Sequence, residues 1–293
     1  MRIAILGTGA IGGWFGGRLV EAGHDVVFVA RGETLAVLQD RGLVLNDAAP
    51  IPVRAYGTLA EVPRDVDVVL LAVKVTAETD LAALLEGLPP SAAVALTQNS
   101  VEVPWLVADV VGKERTWPGV VRAYFHHIGP AQVEYHGGPM TYSFSPWNGS
   151  PDERSEPFAA ALREAGIDAS VIDDIFSDVW LKAMLVTSTG ALGALTNQPM
   201  AELRTRYRGS LEALMRETYE TALANGIDMP TTAVADTLAF ADRMPPEATS
   251  SMQRDLRDGR PNELDAQVGA ICRMGELHGV DTRLHDLMLE VLG

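Results

Sequence analysis

Four places in the chain carry side chains suited to moving protons or holding anions. Lys182 sits in DVWLKAML, among apolar residues on a segment of helical periodicity. Burying an ammonium there is costly unless it has a partner or a purpose. A desolvated lysine gives up its proton more readily and so can protonate a developing alkoxide. The alternative is a stem that snorkels to the surface. Lys74 follows VVLLAV and Asn99 lies in LTQNS, so each ends a short apolar run. Strand ends of that kind flank the ligand crevice of an open α/β sheet, although ordinary loops are polar too. Ser250 and Ser251 precede a helix-like segment and Glu263 opens the next, within ATSSMQRDLRDGRPNELDAQVG. Serine hydroxyls and free N–H groups at a helix start can take a carboxylate, or simply cap the helix.

The elements that must position these groups begin at the N-terminus. MRIAILGTGAIGG is a short apolar run followed by Gly7, Thr8, Gly9, Ala10, Ile11 and Gly12. A second apolar run, DVVFVA, follows one helix later and stops at Arg31. This is the order of a βαβ dinucleotide-binding unit. Gly7 permits the tight turn, Gly9 lets the backbone approach a pyrophosphate, and Gly12 lets the helix pack on the strand. The helix N-terminus offers free N–H groups to the phosphates. An acidic residue usually ends the second strand when the ribose 2′-hydroxyl is bound. Here Arg31 takes that place, and a guanidinium suits a 2′-phosphate, so NADP(H) is the expected cofactor.

The remaining pattern predicts an α/β protein: a mostly parallel sheet in an N-terminal domain, residues 1–172, then an all-helical domain, residues 173–293. Ile3–Leu6, Val26–Ala30, Val68–Val73 and Ala93–Leu96 are strand-like; Gly13–Ala22, Thr34–Asp40 and Ala77–Leu88 are helix-like. Extended segments between Gly119 and Phe144 are expected to add edge strands to the same sheet. Substrate is expected in the cleft between the domains, outside the carboxyl ends of the strands. A net charge of −16 disfavours nucleic acid as a partner. No stretch reads as a membrane span or a signal peptide, and a cytoplasmic location is expected. The single cysteine, Cys272, reads as a packing residue. His126, His127 and His136 lie on extended segments, where neighbours point to opposite faces. One of them could face the cleft, the role of His126 and His127 is open, no metal site is expected, and His24 reads as structural.

GTGAIGG, VARG, AVK, QN, W-x-K and SSM with N-E-x-D occur in an order that resembles the ketopantoate reductase family along essentially the whole chain. The resemblance implies reduction of a 2-keto acid by NADPH. It also implies Lys182 as general acid, Glu263 as the acidic residue that binds a substrate hydroxyl, and Ser251 on the substrate carboxylate. Asn99 falls between cofactor and substrate, Lys74 on the cofactor side, and Arg31 at the 2′-phosphate. Homodimerisation is left open. The chain departs from the family pattern where asparagines are usual four and eight residues after the lysine: Val186 and Gly190 stand there. Ser100 also replaces a usual glycine. Thr189 lies on nearly the same helix face as Lys182 and could substitute in part. A more apolar 2-keto acid is therefore expected. Alternatives are dehydrogenation of a branched or aromatic 2-hydroxy acid, action on an imine, or a non-catalytic NADPH sensor.

Overall fold

The computed structural model describes residues 1–293, apart from the side chain of Asn148. The chain forms two compact units. One comprises Met1–Val73, Asp80–Gln98 and Pro104–Ile175; the other comprises Lys74–Thr79, Asn99–Val103 and Phe176–Gly293.

The first unit contains strands β1 (Arg2–Leu6), β2 (Asp25–Val29), β3 (Val44–Leu45), β4 (Arg54–Tyr56), β5 (Val68–Leu71), β6 (Ala93–Leu96), β7 (Thr116–Trp117), β8 (Gly119–Gly129), β9 (Gln132–Phe144) and β10 (Asp168–Val171). Six of them form one sheet in the order β4-β2-β1-β5-β6-β7, with every pairing parallel. The central strands are buried throughout, which explains their near-continuous Val, Ile, Leu and Ala content. Strand order reverses at β1, so the loops after β1 and β5 lie at the switch point where such sheets bind ligands.

The extended segments after Gly119 do not lengthen this sheet, contrary to expectation. β8 and β9 pair antiparallel in a second sheet, with β10 and β3 added parallel to β9. The reason lies in the helix Ala10–Glu21, AIGGWFGGRLVE, which packs between the two sheets. A Cβ at Gly16 would meet the Phe28 ring of β2 at 2.4 Å, and one at Gly13 would meet Val133 of β9 at 2.7 Å. Trp14 stacks on Phe125 with centroids 5.5 Å apart, and Phe15 meets Tyr142 edge-on at 6.0 Å. One helix thus buries opposite faces against two sheets. The expected helix Ala77–Leu88 shrinks to Leu81–Leu84, capped by Asp80, whose carboxylate accepts from the Ala83 amide at 3.0 Å.

The second unit is helical, as its loss of strand periodicity implied. Its helices include Ile175–Thr196, Arg208–Ala224, Ala233–Arg243, Ser251–Arg257, Ala270–Glu276 and Arg283–Leu292, and a π-helical turn spans Asp265–Gly269. The fully buried His285 meets Glu217 at 2.7 Å. Glu217 also accepts the amides of Leu284 and His285, satisfying the start of the last helix. By length and composition alone, Ile175–Thr196 is long and apolar enough to cross a membrane. It also carries Asp178 and Lys182, and 61% of its apolar window is buried within the fold. Val179, Trp180, Met184 and Leu192 pack it as a core helix.

Candidate functional site

The glycine turn of the first unit follows β1 directly. Gly7 has φ +100, a left-handed conformation that favours glycine. A Cβ at Gly12 would lie 2.0 Å from the Gly7 carbonyl oxygen and 2.9 Å from Ala72 Cβ, so any side chain there forces the helix off the sheet. Gly9 is the opposite case, with nothing within 4 Å of its would-be Cβ. It also N-caps the helix without any side-chain bond, so Ala10, Ile11 and Gly12 present amides that no side chain caps. Thr8 Oγ1 is buried and has no partner among the described residues. An open space above Gly9, uncapped amides and an orphaned hydroxyl are the features a diphosphate would satisfy. Arg31 ends the run after β2, N-caps the helix Gly32–Asp40 and is exposed; its guanidinium makes no ion pair among the described residues. The end of β5 is braced by Gln98, whose Nε2 donates to the carbonyls of Leu71 at 2.8 Å and Val73 at 3.0 Å.

The other predicted residues, Lys74, Asn99, Lys182, Thr189, Ser251 and Glu263, all fall in the second unit. Of these, Glu263 is buried. Burial pushes its carboxyl above the ordinary range; Lys74 and Lys182 oppose that shift, and Asp255 adds to it. Both lysines therefore act electrostatically on one buried acid. Gln267 donates from Nε2 to Glu263 Oε2 at 3.3 Å. Lys74 Nζ lies 2.5 Å from Asp255 Oδ2, and Lys182 is half-buried on its helix. Such a cluster can hold an anion, and it can deliver a proton from an ammonium while the carboxylate fixes a hydroxyl.

Asn99 is half-buried, and its Oδ1 has no partner among the described residues. Ser250, not Ser251, caps the helix Ser251–Arg257; its Oγ accepts from the Gln253 amide at 3.0 Å. Ser251 is the exposed first residue of that helix, with its hydroxyl uncommitted to the cap. Thr189 Oγ1 donates to the Leu185 carbonyl of its own helix at 2.7 Å. Only its acceptor capacity remains, so it replaces an asparagine amide poorly. Gly190 is not an empty notch. A Cβ there would meet Met252 Cε at 2.5 Å and Ser250 Oγ at 3.3 Å.

Other candidates separate from this group. His126, His127 and His136 are exposed on the β8–β9 hairpin of the first unit. The His126 and His136 rings lie 5.4 Å apart, and His136 meets Glu134 at 3.0 Å. Among the described residues no group of three His, Cys, Asp or Glu could hold a metal. His24 meets Glu164 at 3.3 Å. Burial and the adjacent Asp286 push the Cys272 thiol far up, so it stays protonated and unreactive. Sequence reasoning missed Asp255, Glu102 and Arg273. Asp255 had a local signal, four residues after Ser251 on a short helix; the other two had none, because their partners lie 171 residues apart.

A parallel sheet with a glycine turn at its switch point and a helical unit with a buried carboxylate define a Rossmann-type two-unit protein. The family patterns named "Ketopantoate reductase PanE/ApbA" and "Ketopantoate reductase PanE/ApbA C terminal" match residues 3–149 and 174–293. The chain belongs to the ketopantoate reductase family. It is 30% identical to a 2-dehydropantoate 2-reductase of Mesorhizobium japonicum, over 100% of this chain and 97% of that one. Another 2-dehydropantoate 2-reductase, from a Nostoc species, is 29% identical over 92% of this chain and 86% of its own. The crystal structure of 2-dehydropantoate 2-reductase from Geobacter metallireducens GS-15 superposes with a TM-score of 0.89 at 26% identity, covering 100% of this chain and 99% of that one.

Proposed function

We propose that this protein reduces a 2-keto acid to the 2-hydroxy acid with NADPH. The observation that carries this reading is the buried Glu263 carboxyl, hydrogen-bonded by Gln267, in the same unit as Lys74 and Lys182. The Gly7–Gly12 turn and the uncapped start of the helix Ala10–Glu21 would hold the cofactor's pyrophosphate, and Arg31 its 2′-phosphate. Bound NADPH would supply the hydride. Lys182 then gives its proton to the oxygen on which negative charge develops. Glu263 would accept a hydrogen bond from the substrate hydroxyl or from Lys182. Ser251 donates to the substrate carboxylate, and Asn99 orients the group to be reduced. Lys74, paired with Asp255, is assigned to the cofactor side as the family resemblance implies.

Cofactor choice is tested by binding alone. Arg31→Ala is expected to weaken NADPH by about 10- to 100-fold and leave NADH within about two-fold, as a lost charge-assisted hydrogen bond implies. Titration of nicotinamide fluorescence reads both. Equal loss for the two cofactors, or none for NADPH, would remove Arg31 from the 2′-phosphate.

Substrate choice is the finer part of the proposal. Val186 and Gly190 supply no amide, Thr189 has spent its proton, and the Met252 methyl fills the space beside Gly190. These features favour a keto acid more apolar than ketopantoate. Val186→Asn combined with Gly190→Asn, with Met252→Ala to make room, is expected to raise kcat/KM for ketopantoate by about ten-fold or more. A ketopantoate rate that does not rise would show that these positions do not set specificity.

A further inference from the structure

The loop carrying Asn99 is fastened by one guanidinium. Arg273 Nε lies 3.0 and 3.1 Å from the two carboxylate oxygens of Glu102, and Nη2 lies 2.7 Å from Glu102 Oε2. The same group reaches Asp265: Nη1 to Oδ1 at 2.9 Å, and Nη2 to the Asp265 carbonyl at 3.2 Å. Glu102 belongs to the segment Asn99–Val103, where Ser100 Oγ accepts from the amides of Glu102 at 3.3 Å and Val103 at 3.4 Å. Asp265 opens the π-helical turn immediately beyond Glu263 and Leu264. Arg273 therefore bonds at once to the Asn99 loop and to the segment that bears Glu263.

Two features set this contact apart from a surface ion pair, which contributes little. It is a fork on one carboxylate extended to a second, and the Glu102 side chain is only 16% exposed. The backbone is also shaped around it. A Cβ at Gly269 would lie 2.8 Å from Asp265 Oδ1 and 2.9 Å from Arg273 Nη1, so glycine at that position makes room for the pair. The π turn places Gly269 there, and such turns recur at functional sites.

We propose that Arg273 is a positioning residue, which sets the Asn99 loop in register with the Glu263 segment by clasping Glu102 and Asp265 together. This rests on the reading of Asn99 and Glu263 as site residues. Arg273 touches no reacting atom; it acts through the two segments it joins. A displacement of about 1 Å in such a group can lower the rate about 100-fold.

The test compares Arg273→Met, Arg273→Lys and Gly269→Ala in the full chain. Amide exchange in Asn99–Val103 is expected to quicken by about ten-fold or more in the Met and Ala variants, as local opening becomes easier. Lysine, which keeps the charge but loses the fork, should fall in between. In the same variants kcat is expected to drop by about ten-fold or more while KM for NADPH stays within about two-fold, with partial recovery in Arg273→Lys. Unchanged exchange in that loop would overturn the proposal, and so would a loosened loop with unchanged kcat. Failure of the reductase reading looks different: the wild type would reduce no keto acid, while loop exchange would still respond to Arg273.

Discussion

Lys182→Met is expected to lower kcat for keto-acid reduction by about 100- to 10,000-fold, the range for removing a positioned general acid. Methionine retains the unbranched stem and suits a helix interior, so Ile175–Thr196 should stay folded. NADPH affinity should be unchanged, because Lys182 belongs to the helical unit and the glycine turn does not. A second consequence follows from the charge cluster. Lys182 helps to hold down the Glu263 carboxyl, which burial pushes up. Removing the ammonium should push that carboxyl higher still. Single-turnover oxidation of bound NADPH reads the chemical step directly. A loss smaller than about ten-fold would mean that another group, or water, donates the proton.

Glu263→Gln should separate activity from stability. The glutamine keeps the shape but cannot carry charge, so kcat/KM is expected to fall by about 10- to 100-fold, as for a lost hydrogen bond to a charged group. In the wild type the acidic limb of the pH profile should lie above the ordinary carboxyl range, because the working carboxylate is protonated as pH falls through its raised pKa. That limb should vanish in Glu263→Gln. Stability should move the other way. The raised folded-state pKa means that Glu263 favours the fold most when neutral, below the ordinary carboxyl range. This contribution is lost as pH rises through the folded pKa. Glu263→Gln should therefore have a higher Tm than wild type at about pH 7, with the difference disappearing near about pH 4. A Tm that falls at neutral pH would show that the carboxylate is held by its lysines more strongly than burial penalises it.

The sequence disclosed what is local and withheld what is assembled across the chain. The run from Gly7 to Gly12 is legible because a positive φ at Gly7 and the contact of Gly12 with the Gly7 carbonyl are made by neighbours in sequence. Lys182 is legible because an ammonium in an apolar helical run stands out whatever it meets. The second sheet was not legible. β8 and β9 have ordinary alternation, and the paired glycines Gly12–Gly13 and Gly16–Gly17 of the helix Ala10–Glu21 reveal two packing partners only once the fold is known. Arg273 and Glu102 each look like solvated charges until the fold brings them to 2.7 Å. Thr189 shows the limit of helical-wheel reasoning. It has the right phase, but its hydroxyl proton goes to Leu185.

The most direct measurement is the rate of NADPH oxidation by the purified protein across a panel of 2-keto acids that includes ketopantoate and more apolar members, with NADH in parallel. The account predicts turnover with NADPH, higher for an apolar keto acid than for ketopantoate. Tight NADPH binding with no keto acid reduced would contradict it, and would make the lysine–carboxylate cluster of Lys74, Lys182 and Glu263 a binding site without the proposed chemistry.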